Sequence, residues 1–125
     1  WSSFLCNGTG NALYSGESLL TAARAAIDCG VERIGVNCTF IPAVSVSLSL
    51  LSEITKLPLI AYANGGHING NGCWLPDSTL TPARYAAAAQ KWIEFGANTL
   101  GGCCGIGPSH IATLREVVDK ARPAS

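Results

Sequence analysis

Methionine occurs nowhere among the 125 residues, and the first residue is Trp1. A full-length translation product opens on methionine unless it is processed. The chain therefore reads as a fragment whose start, Trp1-Ser2-Ser3-Phe4-Leu5-Cys6, enters a strand part-way. Charge is scarce: 13% of residues are charged, eight basic against eight acidic, for a net charge of zero. That balance leaves no electrostatic footprint for nucleic acid or an anionic membrane surface. No apolar run approaches the roughly 20 residues needed to cross a bilayer, and no basic start leads into an apolar stretch and a small-residue cleavage site. Two cysteines separated by two residues, the close spacing of a structural zinc module, do not occur. Nor does a paired-carboxylate motif stand out. At 48% hydrophobic, the composition also excludes a disordered segment. The six cysteines lie in an apolar, helix-rich chain rather than a secreted disulfide scaffold, which favours a reducing, cytoplasmic setting.

What is present centres on Gly101-Gly102-Cys103-Cys104-Gly105. Adjacent cysteines among glycines, between a short apolar run and a helix start at Pro108, are not what a core needs. Glycine there lets the backbone bend sharply and approach something closely. Two thiols presented together read as soft-metal ligands. Cys38, in Gly35-Val36-Asn37-Cys38-Thr39, ends another strand-like run and completes a set of three. Three protein ligands with a fourth position open is the catalytic rather than the structural zinc pattern. The competing readings are buried cysteines acting as small hydrophobes, and a redox-sensing thiol pair. A disulfide between neighbours is disfavoured by the usual span between bridged α-carbons.

The remainder alternates between strand-like and helix-like segments. Leu19, Leu20, Ala23, Ala26 and Ile27 form a helical stripe that stops at Gly30. Arg33–Asn37 reads as a strand, with Cys38–Pro42 as its loop. Ala43–Lys56 fits both periods, since Val44, Val46, Leu48 and Leu50 alternate with serines. It is assigned as helix because a parallel crossover needs one there. Pro58–Tyr62 is a buried strand, followed by a long loop from Ala63 to Leu80 of a kind that is usually functional or disordered. Thr81-Pro82 opens a third helix that ends at Gly96. A strand from Ala97 then leads into the Cys-Cys turn and a last helix from about Pro108 to Pro123. Four successive βα units suggest an α/β fold: half of a (β/α)8 TIM barrel, occupying residues 1–125 as one piece of a longer chain, with a small open α/β sheet as the alternative. Eight such units take about 250 residues, with the active site at the C-terminal strand ends.

At this point a family resemblance becomes visible. The stretches Gly35-Val36-Asn37-Cys38-Thr39, Tyr62-Ala63-Asn64-Gly65-Gly66, Trp92-Ile93-Glu94-Phe95-Gly96-Ala97 and Gly101-Gly102-Cys103-Cys104-Gly105-Ile106-Gly107-Pro108-Ser109-His110-Ile111 resemble the zinc-dependent homocysteine S-methyltransferases, over essentially the whole chain. The resemblance implies Zn2+ on Cys38, Cys103 and Cys104. It implies methyl transfer to the zinc-held thiolate of homocysteine, giving methionine. S-Methylmethionine is the first choice of donor; S-adenosylmethionine, betaine and methyltetrahydrofolate are the others. The resemblance makes this chain the last four βα units, the C-terminal half of the TIM barrel; the missing N-terminal half becomes a partner in binding substrate, and the fragment alone is expected to be inactive. A non-catalytic zinc-binding or redox-sensing module is the alternative function. Where the family usually reads Tyr-Pro-Asn-Ser/Ala-Gly-Glu, this chain has Ala63 and His67, so proline and the acidic position are both changed. Asn37 and Asn64, at strand ends, are candidates for hydrogen bonds to substrate or to a metal-held sulfur. Asparagines that merely cap loops are an equal alternative. His67 reads as a surface histidine before a ligand, and Trp74 as either a cover for the site or a loop anchor. Cys6, Cys29 and Cys73 read as non-ligands, and His110 as structural or exposed.

Overall fold

The computed structural model describes residues 1–123. Along the chain run β1 (Ser2–Phe4), α1 (Leu19–Asp28), β2 (Ile34–Phe40), α2 (Ile41–Ile54), β3 (Leu59–Asn64), β4 (Gly66–Ile68), β5 (Trp74–Pro76), α3 (Pro82–Glu94), β6 (Ala97–Gly102) and α4 (Pro108–Ala121). Strands β1, β2, β3 and β6 make one parallel sheet in that spatial order, while β4 and β5 pair antiparallel as a separate hairpin.

Local chemistry explains the boundaries. The Ser18 hydroxyl accepts from the Thr21 amide at the start of α1, and Thr81 Oγ1 accepts from the Arg84 amide at 3.2 Å to start α3. In α4 the Gly107 amide donates to His110 Nδ1 at 3.2 Å. His110 Nε2 therefore carries the ring proton and reaches the Leu80 carbonyl at 3.4 Å. His110 is structural, as one of its two expected readings had it. The segment with two possible periods is helix α2: Val44, Leu48 and Leu51 are buried while Val46 is 44% exposed. A strand would have put Val44, Val46 and Leu48 on one face. Its Ser47 hydroxyl donates to the Ala43 and Gly10 carbonyls at 3.0 and 2.6 Å, so a polar residue sits in the core at no cost.

A parallel sheet whose strands lie in sequence order, joined by right-handed crossovers, carries its crossover helices on one face. Successive helices accordingly pack on one another, α1 on α2, α2 on α3 and α3 on α4. The core lies between them and the sheet, where Ile34, Val36, Leu59, Ala61 and Ala63 meet Leu48, Leu51, Tyr85 and Trp92. Trp92 is fully buried, stands edge-on to Tyr85 at 5.6 Å and satisfies its indole N–H on Ser45 Oγ at 3.0 Å. Strand residues alternate across the sheet, so Asn37 and its register partner Tyr62 face away from the helices.

Three expectations change. β1 ends at Phe4, and Cys6 instead forms an isolated bridge to Leu13. β2 runs on through Cys38 to Phe40, with a register shift against β3 between Asn37 and Phe40, so Cys38 belongs to an irregular strand end and not to a loop. The long connection from Ala63 to Leu80 contains the β4–β5 hairpin. Its turn, Asn69 to Cys73, is closed by Asn69 Oδ1 accepting from the Asn71 and Cys73 amides, each at 3.0 Å.

Candidate metal centre

Cys38 is the only non-glycine residue among those described with positive φ, at 48°. A left-handed backbone costs an L-residue roughly 1–2 kcal/mol. Such strain collects at functional sites because the surroundings must enforce it. Here the register shift turns the Cys38 thiol toward the end of β6. Cys103 and Cys104 follow β6 directly, and their turn is tied to β3 by backbone bonds: the Cys103 amide donates to Ala63 O at 3.0 Å, and the Gly65 amide donates to Cys104 O at 2.7 Å. Ile106 N–H closes the turn onto Cys103 O at 3.2 Å. At Gly102 a side chain would overlap Ile106, which explains the glycine before the cysteines.

Thiols from two sequence-distant segments thereby meet. Cys38 Sγ lies 3.6 Å from Cys104 Sγ, Cys103 Sγ lies 4.0 Å from Cys104 Sγ, and all three sulfurs fall within 4.8 Å of one another. A tetrahedral ion with Zn–S bonds of about 2.3 Å would place its sulfurs about 3.8 Å apart. The donor set therefore fits a soft tetrahedral metal with one position free. Burial pushes the Cys38 thiol above its ordinary value, and hydrogen bonding to Cys103 adds to this, while the Cys104 backbone and thiol oppose it. Cys6, Cys29 and Cys73 stand outside the cluster: Cys6 is buried in the core, and the other two are exposed, at the end of α1 and in the hairpin.

Beside Cys38 opens a cleft of about 350 Å³ lined by Cys6, Asn7, Tyr14, Phe40, Asn64 and His67, with Gly8, Gly66 and Ile68. Among the described residues, no Asp, Glu, Lys or Arg lines it. Asn64 is 91% buried and spends its side-chain oxygen on two donors, the Gly66 amide at 3.0 Å and Trp74 Nε1 at 2.6 Å. Asn37 is placed differently: its oxygen accepts from Ser3 Oγ at 2.8 Å, and it does not line the cleft. His67 is exposed, its ring edge-on to Phe40 at 6.5 Å. Sequence reasoning placed Tyr85 in the helix that opens at Thr81-Pro82, with Ala89, Trp92 and Phe95, and gave its hydroxyl no role. Its buried hydroxyl accepts from Ala63 N–H at 3.1 Å and donates to Gly101 O at 2.7 Å, bridging β3 and β6 just before the thiols. A tyrosine inside an apolar helical stripe was the available signal, since its hydroxyl must find partners.

The family model for homocysteine S-methyltransferase matches residues 1–118. The chain belongs to the homocysteine S-methyltransferase family. It is similar to homocysteine S-methyltransferase 3 of Arabidopsis thaliana, 28% identical over 94% of this chain and 35% of that protein. Similarity to methionine synthase of Mycobacterium leprae reaches 36% identity over 88% of this chain but only 9% of that protein. Among solved structures, the metallated form of the homocysteine methyltransferase MmuM from Escherichia coli superposes with a TM-score of 0.70 at 26% identity, covering 91% of this chain and 34% of that one. The chain thus spans about a third of the length of the S-methyltransferases it matches. No helix among the described residues is long and apolar enough to cross a membrane.

Proposed function

We propose that this chain supplies the C-terminal four βα units, and the metal ligands, of a (β/α)8 homocysteine S-methyltransferase. The observation that carries this is the convergence of Cys38, Cys103 and Cys104 within 4.8 Å at the C-terminal ends of β2 and β6. The barrel reading is supported by strands in sequence order with their helices on one face, which leaves β1 and β6 as parallel edges for further units. The acceptor is homocysteine and the product methionine, with S-methylmethionine the preferred donor over betaine, S-adenosylmethionine and methyltetrahydrofolate. The compartment is the cytoplasm, where the thiols stay reduced.

Cys38, Cys103 and Cys104 would hold zinc. Zinc there supplies the means of keeping the acceptor sulfur deprotonated and nucleophilic at neutral pH, where a free thiol with pKa about 8.5 is mostly protonated. The protein's own part is alignment. The irregular end of β2 aims Cys38, and the backbone bonds to Ala63 and Gly65 fix the Cys103–Cys104 turn. The cleft beside Cys38 receives the acceptor, with Asn64 on its wall, His67 at its rim and Asn37 close in sequence to the first ligand. Methyl transfer then requires in-line approach of donor methyl and acceptor sulfur, which positioning provides without a general base.

X-ray absorption at the zinc edge of the full-length protein tests this. Three protein sulfurs are expected, with one further sulfur neighbour at about 2.3 Å once homocysteine is added. Unchanged coordination on homocysteine binding would refute thiolate activation. Reduced protein that takes up no metal would favour the redox-sensing reading.

A further inference from the structure

The β4–β5 hairpin lies over the thiol turn, and Trp74 joins them. A side-chain carbon at Gly66 would lie 2.8 Å from the Trp74 ring, and one at Gly105 would lie 3.1 Å from it. The indole therefore rests on two glycine faces, one at the start of the hairpin and one in the turn carrying Cys103 and Cys104. Its N–H donates to Asn64 Oδ1, which also accepts from the Gly66 amide. Two donors on one atom settle the amide orientation: that atom is the carbonyl oxygen, because an NH2 group cannot accept. Asn64 Nδ2 then has no protein partner among the described residues. Every side-chain polar atom sealed from solvent among the described residues does have one. Nδ2 is therefore the part of this nearly buried residue that opens outward, and Asn64 lines the cleft at Cys38. The residues on either side of it, Ala63 and Gly65, are those bonded to Cys103 and Cys104.

We propose that Trp74 is a positioning residue for the thiol site: it locks the Asn64 amide with its NH2 group, a pure donor, facing the cleft, and its ring seats the Cys103–Cys104 turn. The ligand chemistry that such a donor selects is an anionic acceptor, here the sulfur of the incoming thiol substrate. This rests on the reading of the cleft as the acceptor site. The cleft's freedom from acidic side chains suits it to an anion. Hydrogen bonds to charged groups are about twice as strong as neutral ones, so losing the orientation should be measurable.

The test is a double-mutant cycle in the full-length, zinc-loaded protein, with zinc affinity read by competition with a chromophoric chelator and homocysteine affinity by calorimetry. Trp74→Phe keeps a ring over the glycines and removes the donor. Its zinc affinity should stay within about threefold of wild type, while homocysteine binds about tenfold more weakly, the loss of one charge-assisted hydrogen bond. Trp74→Leu removes the ring as well and should weaken both. On an Asn64→Ala background, Trp74→Phe should have no further effect on homocysteine, because Trp74 acts through Asn64. The inference is overturned if Trp74→Phe binds homocysteine as wild type does, or if its penalty is the same with and without Asn64. A wild-type protein that binds zinc but no homocysteine would instead overturn the proposed function, and this inference with it.

Discussion

Tyr85→Phe isolates one hydroxyl at the base of the thiol site. The ring stays, with its edge contacts to Trp92 at 5.6 Å and His110 at 5.8 Å. The lost oxygen leaves two backbone groups without their partner, the Ala63 N–H and the Gly101 carbonyl. Ala63 is fully buried. An orphaned buried polar group costs about 1–3 kcal/mol, and Gly101 is only half-buried. The variant should therefore be destabilised by about 2–4 kcal/mol in all. In urea, with a slope of about 1–3 kcal/mol per molar, the midpoint should fall by at least about 0.7 M. Burial also pushes the Tyr85 phenol far above its ordinary value of 10.0. Above about pH 10 the unfolded chain releases this proton and the folded chain keeps it, so this contribution to stability is complete below pH 10 and lost as pH rises further. The alkaline loss belongs to Tyr85 and should shrink in the variant. Urea titrations of wild type and variant at pH 7.5 and 10.5 measure both effects. A change under about 0.5 kcal/mol at neutral pH would mean that water replaces the hydroxyl, and would refute the bridge as a structural element.

Gly102→Ala forces Ile106 or the thiol turn to move. It should cost about 1–3 kcal/mol in stability and weaken zinc binding, both readable from thermal melts with and without the metal. Metal affinity should fall as pH falls, because burial raises the Cys38 thiol and protons compete for all three sulfurs; chelator competition between pH 6 and 8 measures it, and a flat profile would argue against thiolate ligands. Cys29→Ala, at the exposed end of α1 and outside the cluster, should leave zinc content and turnover at wild-type values.

Much of the site was legible because its chemistry is local in sequence. Adjacent cysteines among glycines, and a third after a strand-like run, mark three thiols as candidate ligands through the preference of thiolate for soft metals. The Thr81 cap and the Gly30 and Gly96 stops were legible for the same reason, since each signal acts within one turn. The two-period segment from Ala43 shows where local signals end. Alternating serines mimic a strand, and α2 forms because Val44, Leu48 and Leu51 have a sheet to pack against and Ser47 finds the Gly10 carbonyl. Only the tertiary structure decided the left-handed backbone at Cys38, which requires a register shift between two strands. The same is true of the hairpin inside the long connection and of the Trp74–Asn64 and Tyr85 bridges. The Trp74–Asn64 and Tyr85 bridges pair groups 10 to 22 residues apart, across elements that meet only once the chain has folded. A sequence shows that such donors and acceptors exist; the packing of β3 against β6 and the hairpin chooses their partners.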